Sequence, residues 1–187
     1  MAQKILICYA STEGQTQKIC RFCMDQLFAM GASVELLPVS VAGSLELGRF
    51  DAVILAGSVH LGKLQSDLAD FATAHAEALN GMRSLLLQVS LAAAGKDKAD
   101  WAELEKIAAG FCAQTGWRPG ATHHIAGAFR FTQYDFFKSW AMRYIAAQKD
   151  QTVDPKADTE YTDWQALATL LRDWMAGGSG GAGIRRP

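Results

Sequence analysis

The stretch that most constrains this chain lies near its start. A short apolar run, Ile5-Leu6-Ile7-Cys8-Tyr9, is followed at once by the polar loop Ser11-Thr12-Glu13-Gly14-Gln15-Thr16. Beyond the loop, Ile19, Cys20, Cys23, Leu27 and Met30 recur at helical spacing. A strand, a tight polar loop and a helix start make up the geometry that holds an anion. The first N–H groups of a helix have no internal partner, and the helix dipole adds partial positive charge there. Hydroxyls of Ser11, Thr12 and Thr16 offer further donors. Gly14 lets the backbone turn and approach the anion, and Glu13 must point away from it. This loop holds no lysine, unlike the nucleoside-triphosphate loop, and it lacks the three spaced glycines of the dinucleotide fingerprint. A phosphomonoester therefore fits better than a di- or triphosphate. The same residues also serve a second reading, a plain turn and helix cap.

Residues 3–9 read as a buried strand and residues 16–30 as a helix that Gly31 ends. Strands follow over 33–39, 52–57, 84–91 and 121–129. Helices follow over 67–79, 101–115 and 162–175. Residues 42–49, 58–62 and 92–100 read as connections. Strands that alternate with helices build a parallel sheet covered on both faces, because crossovers are right-handed. Ligands of such sheets sit at the C-terminal strand edge. Three loops meet there, 11–16, 58–62 and 91–96, enough to cradle one flat phosphorylated molecule.

The chain has 187 residues, which suits one domain over residues 1–176 followed by a disordered Gly/Ser-rich tail over 177–187. Its 18 basic and 19 acidic residues give a net charge of −1, which offers nucleic acid no electrostatic footprint. The longest uncharged stretch, 84–95, is too short to span a bilayer, and no secretory signal precedes the first strand. Any membrane contact is expected to be peripheral. The four cysteines show no zinc spacing. Cys20 and Cys23 form a C-x-x-C within a helix, read as small buried residues rather than a redox pair.

Residues 129–160 are too long for a connection. They hold Phe129, Phe131, Tyr134, Phe136, Phe137, Trp140 and Tyr144, with Arg130, Lys138, Arg143 and Lys149 among them. A helix over 134–148 would gather the aromatics on one side. That pattern suits a basic element lying on a bilayer or covering a flat apolar anion, and equally an element packed on the sheet edge.

Taken together the features resemble the flavodoxin-like fold, and more particularly the family of bacterial quinone-dependent protoporphyrinogen oxidases. The residues that carry the resemblance are Ser11–Thr16, Gly57-Ser58-Val59-His60-Leu61-Gly62, Trp117-Arg118-Pro119, Ile125-Ala126-Gly127-Ala128-Phe129-Arg130-Phe131 and Tyr161-Thr162-Asp163-Trp164. The resemblance implies a doubly wound sheet of five parallel strands in the order 2-1-3-4-5, with a long aromatic-basic insert before the last helix. It implies FMN as cofactor, with Ser11, Thr12, Glu13, Gly14, Gln15 and Thr16 around its phosphate. The ring would lie between Ser58, Val59, His60, Leu61, Gly62 and the loop of Ser90, Leu91 and Ala92. It further implies oxidation of protoporphyrinogen IX in heme biosynthesis, with electrons passed to a membrane quinone at the cytoplasmic side of the inner membrane. Arg130, Lys138, Trp140 and Arg143 would meet substrate or lipid, and His60 could relay a proton, imidazole being the side chain that titrates near neutrality. His60 and Leu61 stand where that family often carries a basic residue and a tyrosine. A homo-oligomer is left open. The alternatives are a flavodoxin-type electron carrier, against which the near-neutral charge and the basic insert count, and another flavodoxin-like FMN reductase.

Overall fold

The computed structural model describes residues 2–129 and 159–177. The predicted helix over 134–148, the residues Arg130, Lys138, Trp140 and Arg143, and the tail from 178 lie outside the described residues.

The first strand, β1 (Lys4–Ala10), leads into helix α1 (Gln15–Ala29). Strand β2 (Ser33–Pro38) follows, and two short 3-10 turns carry the chain to β3 (Ala52–His60). A two-residue strand β4 (Lys63–Leu64) turns back on β3 before α2 (Ser66–Ala74) and α3 (Ala76–Asn80). Then come β5 (Arg83–Ser90), a 3-10 turn over Leu91–Ala94, α4 (Lys98–Thr115) and β6 (Ala121–Ala126). The short strands β7 (Ala128–Phe129) and β8 (Thr159–Glu160) precede the last helix, α5 (Trp164–Met175).

The parallel strands lie in the order β2-β1-β3-β5-β6, which is 2-1-3-4-5 counted along the parallel strands alone. β4 adds an antiparallel pair to the end of β3, with Val59 opposite Leu64 and His60 opposite Lys63. The expected loop 58–62 is thus half strand: β3 runs on to His60 because β4 satisfies its outer hydrogen bonds. β7 and β8 pair with each other rather than with the sheet, so the strand expected over 121–129 breaks at Gly127. The helix expected over 67–79 divides at His75, whose φ of −113° leaves helical geometry.

Alternation along each strand sends neighbours to opposite faces. Ile5, Ile7, Ile54, Leu85 and Leu87 meet Ile19, Cys23 and Leu27 of α1 and Leu167, Leu171 and Trp174 of α5. Leu6, Cys8, Val53, Leu55 and Leu86 meet Leu68 and Ala72 of α2, Phe111 of α4 and Trp117. Cys20 and Cys23 are fully buried, and burial pushes the Cys23 thiol up to about 12. They behave as packing residues. Among the described residues no helix is long and apolar enough to cross a membrane.

β6 brings two histidines into the interior on opposite faces. Neither ring nitrogen of His123 has a hydrogen-bond partner, and burial pushes its pKa below the usual value, with His124 adding to the effect. Burial also lowers His124, opposed by Glu105, whose carboxylate lies 3.5 Å away. Such a group binds fewer protons folded than unfolded. Its contribution is intact above the unfolded pKa of about 6.5 and is lost as pH falls toward the folded value. The urea unfolding midpoint should therefore fall between about pH 7.5 and about pH 5.5, and His123→Leu should flatten that fall. An equally steep fall in the variant would contradict the assignment.

Candidate functional site

The C-terminal ends of β1, β3 and β5 open onto a cavity of about 620 Å3. That size lies within the range of small-molecule and cofactor sites. Its floor at one end is the β1–α1 connection, where Ser11, Thr12, Glu13, Gln15 and Thr16 line it. Gly14 is the N-cap of α1 in left-handed geometry, φ +87°, where a side chain would be strained. Its N–H donates to Ser11 Oγ at 3.0 Å, and its carbonyl accepts the N–H of Lys18. No side chain caps α1, and its first turn holds no acidic residue. The helix thus begins at the cavity with donors available and no carboxylate of its own first turn opposing an anion. Glu13 stands at the cavity wall just before that turn.

The second wall is the β3–β4 hairpin, represented by Ser58, Val59, His60, Leu61 and Gly62. Leu61 and Gly62 both have positive φ, 49° and 74°, in the two-residue turn whose twist matches its strands. A leucine in that region stores about 1–2 kcal/mol of strain. Leu61 is also 87% exposed. The third wall comes from Val89, Ser90, Leu91 and Ala92. Ser90 Oγ accepts the N–H of Ala92 at 3.1 Å and so starts the 3-10 turn there.

The last wall holds Gly127 and Ala128, which the sequence reading did not place at the site. Thr162 fixes this wall to the first one. Its hydroxyl donates to the Ala126 carbonyl at 2.7 Å and accepts from Gln15 Nε2 at 3.0 Å. Tyr161 N–H donates to the Gly127 carbonyl at 3.0 Å. Next to it Glu160 binds Lys18 of α1 and accepts from Trp164 Nε1, whose ring packs on Phe22. Desolvation raises the Glu160 carboxyl, but the bonds from Lys18, Trp164 and Gln15 outweigh it and hold the group below its usual range. The stem β7–β8, where the chain leaves for and returns from 130–158, is therefore set at the cavity.

Of the residues expected at a cofactor, Ser11, Thr12, Glu13, Gln15, Thr16, Ser58, Val59, His60, Leu61, Gly62, Ser90, Leu91 and Ala92 come together here. Gly14 shapes the backbone instead of lining the space, and the Gln15 amide is spent on Thr162. Gln65, also at the wall, was not among the expected residues, because nothing in its local sequence marks it. Thr162 had a signal in the Tyr161-Thr162-Asp163-Trp164 motif, but not its partners. Among the described residues no group of three or more His, Cys, Asp or Glu could hold a metal ion.

A family model described as the flavodoxin domain matches residues 6–156. The chain is similar to the protoporphyrinogen IX dehydrogenase (quinone) of Escherichia coli, 26% identical over 170 residues that cover 91% of this chain and 93% of that protein. A protein of the same name from Leishmania major is 25% identical over 174 residues, covering 92% of this chain and 75% of that one. Among solved structures, a flavodoxin of Streptococcus pneumoniae superposes with a TM-score of 0.56 at 16% identity, over 93% of this chain and 99% of that one. Oxidised flavodoxin 1 of Bacillus cereus gives 0.54 at 15% identity, over 93% and 98%. At these identities the structural likenesses speak for the fold alone.

The Thr162 bonds make a direct prediction. Thr162→Val leaves the Ala126 carbonyl and the Gln15 amide without that partner and should cost about 1–3 kcal/mol in urea unfolding. Thr162→Ser, which keeps the hydroxyl, should recover most of the loss. Equal losses in the two variants would mean that packing, not hydrogen bonding, holds the wall.

Proposed function

The chain belongs to the flavodoxin domain family, and from that membership we propose that it is an FMN enzyme that oxidises protoporphyrinogen IX and passes the electrons to a membrane quinone. The observation that carries the cofactor is the uncapped, acid-free start of α1 at the end of a cavity large enough for a flavin. The likeness to the named dehydrogenases over nine-tenths of the chain supports the substrate.

The fit to FMN can be tested on the residues themselves. A phosphomonoester needs several donors in one concave turn, and the α1 N-terminus with the hydroxyls of Ser11, Thr12 and Thr16 supplies them. A flat ring needs apolar walls on two sides. Val59 and Leu61 of the β3–β4 hairpin and Leu91 and Ala92 of the 3-10 turn line the cavity and would supply them. Ser58, His60 and Gln65 provide the polar atoms at the wall. When bound, FMN supplies the acceptor for a hydride equivalent. The chain's residues hold and orient it: the α1 turn fixes the phosphate end, and the β3–β4 hairpin with the Leu91–Ala94 turn fixes the ring end. His60 is placed at the cavity to take or pass the proton that accompanies each oxidation.

The substrate is a large apolar ring with acidic side chains, and the acceptor is dissolved in a bilayer. The aromatic and basic residues from Phe129 to Lys149 have the composition for both contacts, with Arg130, Lys138, Trp140 and Arg143 meeting propionates or headgroups. The enzyme then works as a peripheral protein at the cytoplasmic face of the inner membrane.

Purified enzyme loaded with FMN, given protoporphyrinogen IX and a soluble quinone, should produce porphyrin fluorescence well above autoxidation. A rate equal to autoxidation in the flavin-loaded protein would remove the oxidase reading. Lys138→Glu with Arg143→Glu should weaken binding to anionic vesicles or raise KM for the porphyrinogen about tenfold or more, with FMN retained. Loss of FMN in step with those effects would instead make the insert part of the cofactor's support.

A further inference from the structure

Two polar side chains of the cavity wall converge on the hydroxyl oxygen of a third. Gln65, the N-cap residue of α2, donates through Nε2 to Ser58 Oγ. His60 Nε2 lies 3.1 Å from the same oxygen. All three residues line the cavity. Ser58 and His60 share a side of β3 because they are two residues apart. Gln65 reaches them from the next element because position 57 is glycine. A Cβ there would lie 3.0 Å from Gln65 Oε1 and 2.5 Å from Leu68 Cδ2. The reach has a cost, since Gln65 Oε1 is buried with no hydrogen-bond partner. An unpaired buried carbonyl is destabilising, so folding alone gives no reason for an amide at this position. A methionine would fill the same space without an unpaired oxygen.

Resting on the FMN reading above, we propose that Gln65 and His60 are positioning residues that occupy both acceptor sites of the Ser58 hydroxyl and so direct its proton into the cavity as a hydrogen bond to a flavin acceptor atom. A serine hydroxyl has one proton and two lone pairs. The Gln65 amide N–H takes one lone pair. An imidazole protonated at Nε2 takes the other. The Ser58 proton is then left to the ligand. An imidazole protonated only at Nδ1 would accept that proton instead, and Ser58 would show the cavity a lone pair. The donor form is the one a flavin ring calls for, since its polar edge carries two carbonyl oxygens and bare ring nitrogens against a single imide N–H. It also suits the negative charge such a ring gains on reduction.

Lys63 is the cross-strand partner of His60 on β4. Asp67 of α2 accepts the N–H of Leu68 at 3.0 Å. The turn Leu91–Ala94 brings no charge. Glu13, on the β1–α1 connection, is the one carboxylate among the cavity-lining residues.

The test is FMN titration into the apo-protein, followed by flavin fluorescence, for the unaltered chain, Ser58→Ala, Gln65→Met and the double variant. Ser58→Ala should weaken FMN about five- to thirtyfold, the worth of one hydrogen bond. Gln65→Met should weaken it less or equally, and the double variant should bind no worse than Ser58→Ala, because Gln65 acts through Ser58. The melting temperature of apo Gln65→Met should stay unchanged or rise. Nitrogen NMR of the FMN complex should find a proton on His60 Nε2. Losses that add in the double variant would overturn the proposal. So would a Gln65→Met melting temperature that falls with affinity, a bare Nε2, or full affinity in Ser58→Ala. If the unaltered chain itself ignores FMN, the cofactor reading fails and takes the proposal with it. Normal binding by the unaltered chain with any of the contrary variant results leaves the cofactor reading standing and removes the proposal alone.

Discussion

At the end of β1 the chain leaves the sheet, turns through a left-handed glycine and starts a helix that no side chain caps. In an ordinary surface helix a serine or aspartate would satisfy those first N–H groups, at a gain of about 1 kcal/mol. Here that gain is forgone. The helix is nonetheless held firmly, because Ile19, Cys23 and Leu27 are buried against Ile5, Ile7 and Ile54 of the sheet. The burial of those side chains far exceeds the worth of a missing cap. A rigid helix with free donors at the cavity is the constraint around which the other walls are arranged.

Parallel pairing does the rest of the placing. When β1, β3 and β5 run side by side in the same direction, their outgoing connections fall on one edge. The connections differ in how they are stiffened. The first is held by Ser11 Oγ bonded to Gly14 N–H. The second is a hairpin clamped by β4. The third is a 3-10 turn started by Ser90. Thr162 then bonds the returning chain to the first connection through Gln15. The stem that leads into residues 130–158 is thereby coupled to the β1–α1 wall of the cavity. Ala128, the first residue of that stem, itself lines the cavity.

Much of this was legible in the residues, and what was not has identifiable causes. The five parallel strands followed from apolar runs separated by helical periodicity, signals that burial on both faces makes strong, whereas their order came from the family resemblance. The edge that carries the cavity followed from the parallel topology and the three loops 11–16, 58–62 and 91–96 together. The extension of β3 to His60 was hidden because its partner, Lys63–Leu64, is two residues long and shows no alternation. The division of the second helix at His75 was hidden because Leu79 keeps the apolar spacing across the break. Gly127 reads as part of a strand, yet its N–H bonds to the Ser90 carbonyl while the next two residues pair with β8. Gln65 and Thr162 act at the site through partners 7 and 147 residues away. Such contacts leave no local pattern; only the close approach at Gly57 marks one of them, and only in three dimensions.

The account rests on the α1 turn gripping a phosphomonoester, and comparison of FMN with riboflavin tests that grip most directly, since the two differ by that group alone. Titration of the apo-protein with each, at matched ionic strength, should show FMN bound about 100-fold or more tighter, as several charge-assisted bonds require. Equal affinity for the two flavins would contradict it.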